Sequence, residues 1–324
     1  MSGDDGLLNA YVLDSKGGAR PLAWDDVLAW KPAEGVLWVH LDRSESRAKT
    51  WLELDSDVGP VVVSALLAEE TRPRCLTLPA GLLIILRGVN LNPGADAEDM
   101  VSLRMWLSSR RVITVRRRRL VAVQDVRDDL EMGNGPATEG GVLVAVAGHL
   151  VDRIGPVVHE LDEKLDHIEV ETLDSGSQEL RPQLAQLRRE VIALRRHIAP
   201  QRDALVSLCT TPTELLRDAD RMLLREIGDR VARYVEDLDA LRERATLTND
   251  ELGTRLAETM NRRMYVLSLV AAVFLPLGLL TGLLGINVGG IPGTDNQWGF
   301  SMVTLFLIAI GAVGVWWLRR QQLF

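Results

Sequence analysis

Two uncharged apolar runs near the C-terminus, about Tyr265–Leu284 and Phe300–Leu318, constrain this chain more than any other feature. Each is roughly 20 residues long, and at about 1.5 Å per residue such a helix crosses a hydrocarbon core of about 30 Å. A core helix of a soluble domain can be as apolar, but two such runs in tandem after a polar chain point to a two-helix membrane anchor. Arg262 and Arg263 precede the first run, Arg319 and Arg320 follow the second, and Asp295 is the one charge between them. Lys and Arg favour the cytoplasmic side, so the loop is expected outside and both termini in the cytoplasm.

The 324 residues leave room for a substantial soluble domain before the anchor. A formal net charge of −8 argues against a nucleic-acid partner and suits a protein that gathers cations. Cys75 and Cys209 are far apart, form no C-x-x-C pair, and are expected as reduced thiols on the cytoplasmic side. No apolar leader follows Met1, so the first span is expected to direct insertion. There is no Walker sequence, G-x-S-x-G or H-E-x-x-H, so no enzymatic chemistry and no cofactor is expected.

Residues 1–136 read as an α/β domain. Strands are predicted at Leu7–Leu13, Gly35–Leu41, Arg74–Leu78, Leu82–Arg87, Ser102–Ser108 and Arg111–Val115, the last two as a hairpin. A helix is predicted over Asp57–Leu67, capped within Asp55–Asp57, and another over Leu120–Met132. Residues 137–263 read as a helical stalk. From Thr138 a heptad-like seam runs through Ala147, Val151, Ile154, Val158, Leu161, Leu165 and Ile168 until Ser175-Gly176-Ser177. A second seam, Leu184, Leu187, Val191, Leu194 and Ile198, is expected to stop near Pro200 or Pro212. A third helix, capped near Thr213, carries Leu224, Ile227, Val231, Leu238, Leu241, Ala245 and Leu252, and no clear breaker separates it from the first span. Residues 264–324 hold the two spans, giving an α+β membrane protein: a cytosolic α/β domain, a long helical stalk and two C-terminal transmembrane helices per subunit.

Stepping by three or four along the first span gives Asn261, Met264, Ser268, Ala271, Leu275, Gly278 and Gly282, a face that is small or polar except at Met264 and Leu275. Such a face serves close helix packing or lines a water-filled path. Two spans cannot enclose a path, so a pore requires an oligomer.

Just after the first span stands Gly285-Ile286-Asn287, followed by Val288-Gly289-Gly290-Ile291-Pro292-Gly293. Here the chain resembles the CorA superfamily of divalent-cation transporters, whose signature is Gly-Met-Asn at this position; Gly-Ile-Asn with its Gly-Gly-Ile-Pro-Gly tail is similar to the zinc-transporting ZntB branch. The resemblance implies a homopentamer in the bacterial inner membrane, in contact with lipid, with the first span of each subunit around a pore. It places Gly285, Ile286 and Asn287 at the entrance, where amide oxygens would hold a hydrated dication. Leu275 and Met264 would form apolar constrictions, and Asp295 would attract cations. The resemblance makes Zn2+ the transported ion, and because no Cys, His or carboxylate lines the span to strip its water, a hydrated ion is expected. A magnesium, cobalt or nickel channel of the same architecture is the near alternative. From another class, a non-conducting two-span sensor has no recognisable output domain to support it.

His159, Asp162, Glu163, Asp166 and His167 share a helical face and offer a cytosolic metal site, against the reading of a solvated face. His40, His149 and His197 read as isolated and structural. The basic run Arg110, Arg111 and Arg116 to Arg119 is expected to pair with acidic helices.

Overall fold

A computed structural model of the protein describes residues 5–174, 179–285 and 297–320. The chain forms two units, residues 1–250 and 251–324. The first is built on a seven-stranded sheet of β1 (Leu7–Leu13), β2 (Ala19–Pro21), β3 (Val36–Asp42), β4 (Arg74–Leu78), β5 (Gly81–Gly88), β6 (Val101–Ser108) and β7 (Arg111–Arg116), in the order β2-β1-β3-β7-β6-β5-β4. Neighbours run antiparallel except β3 and β7, which pair in parallel with Leu37 opposite Arg111 and Asp42 opposite Arg116. The expected β6–β7 hairpin is present, and Arg110, at φ 58°, lies in its turn.

Alternation along the strands feeds two cores. Trp38, Leu82, Ile84, Leu86 and Val112 face one, while Leu37, Leu83, Ile113 and Val115 face the other. A sheet covered on both sides needs apolar residues at successive positions, which is why its strands read as short apolar runs. The second core is closed by α1 (Trp24–Ala29), α2 (Ser46–Thr50) with a π turn over residues 51–55, and α3 (Pro60–Leu67). The helix predicted from Asp57 thus starts later. Pro60 occupies its first turn, where a missing N–H is harmless, with Gly59 as the cap, and Asp57 sits at φ 50° in the link before it.

The first core is closed by α4 (Val121–Glu131), α5 (Glu139–Asp152), α6 (Ile154–Asp174), α7 (Leu180–Thr210) and the first part of α8 (Asp218–Leu284). Gly133, at φ 78°, ends α4, its N–H reaching the carbonyl of Leu130 at 3.1 Å. Thr138 caps α5 by accepting from Gly141 N at 3.1 Å. The seam predicted as one helix from Thr138 is shared by α5 and α6, which part at Arg153. Pro156 has no N–H to give the carbonyl of Asp152, so the ladder breaks there. All seven seam residues are nevertheless buried. The Ser175-Gly176-Ser177 break lies outside the described residues.

Helix α7 continues through Pro200 and ends at Thr210, so of the two expected stops the chain takes the one at Pro212. The third helix begins at Asp218, five residues past the predicted cap. Thr213 Oγ1 accepts from Leu215 N at 3.3 Å within the loop, and Asp220 reaches back to Arg217 N at 3.0 Å, the reciprocal half of a capping box. From there α8 continues for 67 residues without interruption, and its seven predicted seam positions are buried. The second unit holds the end of α8 and α9 (Gly299–Arg320).

Candidate functional site

The last part of α8 contains an apolar stretch long enough to cross a membrane, and none of it is buried within the chain. Its sides differ. Val266, Leu269, Val273 and Leu277 are half-buried, and Val273 is where α9 comes close: a Cβ built on Gly314 would lie 3.4 and 3.5 Å from the two Val273 methyls. At 100° per residue, the stripe Asn261, Met264, Ser268, Ala271, Leu275, Gly278 and Gly282 falls on roughly the opposite side of the helix. Asn261, Met264, Ser268, Leu275, Gly278 and Gly282 are exposed, and Ala271 is half-buried. A Cβ placed on Gly278 or Gly282 would meet nothing within 4 Å. The two glycines therefore do not serve packing between α8 and α9.

The helix backbone along this stripe stays closed. Pro276 lacks an N–H but α8 continues past it, and Thr281 Oγ1 donates to the carbonyls of Leu277 and Gly278 at 3.0 and 3.1 Å. At the end Gly285 N donates to the carbonyls of Thr281 and Gly282. Ile286, Asn287 and Asp295 lie outside the described residues, so of the predicted entrance only Gly285 is placed.

The face of α6 predicted to hold a metal is organised around an arginine instead. Arg244 of α8 donates through Nη1 to Asp162 at 2.7 Å, through Nη2 to Glu169 at 2.7 Å, and to Asp166. These hydrogen bonds, with Glu169 first and Asp166 next, hold its guanidinium pKa above the usual value. His159 lies 3.4 Å from Glu163 and His167 3.7 Å from Glu171, each pair one turn apart. Among the described residues no group of three or more His, Cys, Asp or Glu is placed to hold a metal ion. The guanidinium takes up Asp162 and Asp166 and so stands on the face predicted to offer His159, Glu163, Asp166 and His167 to a metal.

The other histidines differ among themselves. His40 is buried against Thr114 Oγ1 at 2.9 Å, and burial, aided by Arg116, pushes its pKa down to about 3. His149 is not isolated: its Nε2 lies 2.9 Å from Asp129, and its Nδ1 lies 3.8 Å from Asp125 and 4.0 Å from Asp152. The basic run disperses. Arg118 pairs with Asp99 of the loop before β6, and Arg119 donates to Gln124 of α4 at 2.7 Å. Arg111 and Arg116 are desolvated, which lowers their pKa values. Sequence reading missed the buried arginines Arg43 and Arg104, which cap the end of α3 by donating to the carbonyls of Leu67 and Ala68 at 2.8 and 2.7 Å. No pattern signals them, because a charged residue in a turn, as Arg43, or in a strand, as Arg104, reads as surface.

An α/β unit followed by a long helix and a short terminal one, with the exposed stripe on the long helix, defines a class. The chain belongs to the CorA-like family: the family described as CorA-like Mg2+ transporter protein matches residues 33–320. Among its relatives, the divalent cation transporter CmaX of Pseudomonas aeruginosa is 41% identical over 326 residues, covering 99% of this chain and 97% of that protein. The zinc transport protein ZntB of Pectobacterium atrosepticum is 39% identical over 319 residues, covering 98% of this chain and 96% of that protein. The structure of full-length CmaX superposes with a TM-score of 0.84 at 38% identity, covering 99% of both chains. The CorA magnesium transporter of Methanocaldococcus jannaschii superposes at 0.82 over 96% of this chain and 97% of that one, and at 17% identity it bears on the fold alone.

Proposed function

We propose that the protein is one subunit of an oligomeric transporter that carries divalent cations, zinc foremost, across the bacterial inner membrane. The observation that carries this reading is the stripe on α8: its glycines face open space while the opposite side meets α9. A helix with one side packed and a small, polar side unoccupied within its own chain fits a ring of such helices around an axis. The relatives named for zinc and divalent-cation transport support the substrate class.

In this reading residues 1–136 form a cytosolic α/β domain, 137–263 the stalk, and 264–324 two membrane helices with both termini in the cytoplasm. Five copies, as the family resemblance implies, would place Asn261, Met264, Ser268, Ala271, Leu275, Gly278 and Gly282 along a pore in a lipid bilayer. Gly285, Ile286 and Asn287 would form its outer entrance, with Asp295 nearby. The stripe offers an amide, a hydroxyl and backbone but no thiolate, imidazole or carboxylate, so it suits a hydrated ion in transit more than a bound one. Leu275 and Met264 would close the path by excluding water. A negative-inside potential favours entry of a dication by about 4.6 kcal/mol per 100 mV, so uptake needs no covalent chemistry.

Zinc flux into liposomes holding the purified protein, with magnesium as competitor, tests this. Zinc uptake that magnesium barely inhibits, falling at least about tenfold in Asn287→Ala, is expected. Magnesium flux of equal or greater size would instead favour the second reading, a magnesium carrier, for which the matched family's description speaks. Absence of any flux would remove the transport assignment.

A further inference from the structure

The ring of His149 is faced by more carboxylates than a neutral imidazole can serve. From α4 come Asp129, 2.9 Å from Nε2, and Asp125, 3.8 Å from Nδ1. Asp152, at the end of α5, lies 4.0 Å from the same Nδ1. Two guanidinium groups pair with these acids. Arg153, at the break between α5 and α6, reaches Asp125 at 2.5 Å, and Arg230 of α8 pairs with Asp152. His149, Asp125, Arg153 and Arg230 each keep less than a third of the side chain exposed, so water screens the group only in part.

A carboxylate only accepts, so the short contact to Asp129 requires the hydrogen on Nε2. In the neutral ring Nδ1 is then a lone pair turned toward two further carboxylates. At 3.8 Å the pair of Nδ1 and Asp125 stands open by about 1 Å relative to a hydrogen bond, as two facing acceptors should. Asp125 Oδ2 is buried and accepts no hydrogen bond, although the Arg153 guanidinium is in ion-pair contact with it. Buried acceptors are nearly always satisfied, so the junction lacks one donor, and a second proton on the ring is that donor. Charge agrees: three carboxylates meet two guanidinium groups, and an imidazolium cancels the remaining negative charge. We propose that His149 is a proton-operated latch. Taking up a proton on Nδ1 ties α5 to α4 through Asp125 and draws Asp152, with Arg230 of α8, into one network. Releasing the proton loosens that junction. Imidazole changes charge between about pH 5 and 8, so the latch reads the acidity around this unit. It lies within residues 1–250 and does not rest on the transport reading.

The test is hydrogen exchange of the full-length protein in detergent, read by mass spectrometry on peptides from α4 and α5 at about pH 6.5 and 8.5. Rates are corrected for the intrinsic pH dependence of amide exchange. His40, with its pKa held down to about 3, stays uncharged in the native protein over this window. Protection at the lower pH is expected to exceed that at the higher by at least about threefold. The sign follows from linkage: the closed junction binds the proton that the open one releases, so acid tightens it and base loosens it. His149→Gln keeps a donor for Asp129 but cannot take up a proton, and should remove the difference. Asp125→Asn brings the missing donor from the other side, its amide to the Nδ1 lone pair, and should make protection equal at both values. Each variant stands in for the other should one fail to fold. Equal protection of the unmodified protein at the two values, greater protection at the higher one, or a difference that persists in either variant would overturn the proposal.

Discussion

Ile84 of β5 and Leu267 of α8 are both large aliphatic residues in regular structure, yet the first is fully buried and the second is 70% exposed. The contrast repeats through their units. In residues 1–250 the apolar side chains of sheet and helices meet within the chain, and charges fill specific places, such as Arg43 and Arg104 on helix-end carbonyls. Along α9 and the end of α8, Leu275, Leu279, Phe300, Leu305 and Ile308 are more than 60% exposed. One region finds its apolar environment in itself, and the other needs it from outside, as a helix that spans a bilayer does.

The largest expected effect tests this contrast directly. Ile84→Ala removes fully buried methyl groups and should destabilise the protein by about 2–5 kcal/mol, whereas Leu267→Ala should change it by less than about 0.5 kcal/mol. Denaturant unfolding of the two variants in one detergent measures both, and equal losses would break the comparison. Acid should also act on the first region. His40 is held neutral, its folded pKa of about 3 lying below the unfolded value of 6.5, so the unfolded chain binds the proton that the native one refuses. Stability contributed by this group is therefore complete above pH 6.5 and is lost as pH falls toward 3, at up to about 1.4 kcal/mol per pH unit. In His40→Gln the pH slope of unfolding free energy between 6.5 and 4 should flatten by that amount. A smaller loss than that of Ile84→Ala belongs to Arg244→Gln. Its partners are about a third or more exposed, so the loss should stay near or below about 1 kcal/mol and shrink in high salt.

How much of this was legible in the sequence follows the same division. Strands β1 and β4 match their predicted ranges, β6 and β7 differ by a residue at one end and β3 and β5 by a residue at each end, because a sheet buried on both faces writes itself as uninterrupted apolar runs bounded by turns. Strand β2 and the short helices α1 and α2 were not predicted: three to six residues are too few to show a period, and tertiary packing of Trp24 and Trp51 holds them. The start of α8 was misplaced since Thr213 and Asp220 both offer capping chemistry, and only the fold selects between them. The stripe on α8 was legible residue by residue, as spacing alone places its members on one side. That its glycines face open space was not legible, for that depends on where α9 packs. That Arg244 would join the acidic face of α6 was not legible, because the arginine lies some eighty residues further along the chain.

The parallel pairing of β3 with β7 has a consequence for how the protein comes to be. Hairpins such as β4–β5 and β6–β7 close over short loops, and β1 meets β3 across a modest one. The join between β3 and β7, by contrast, brings together residues 37 and 111, and no local turn can make it. Such long-range closure slows folding, because chain entropy is lost before the contact rewards it. During synthesis the two halves of the sheet can form early, each with an unpaired edge strand, β3 or β7, and they can unite only after residue 116 has emerged. The interval between those events is when the nascent chain is most open to edge-to-edge aggregation.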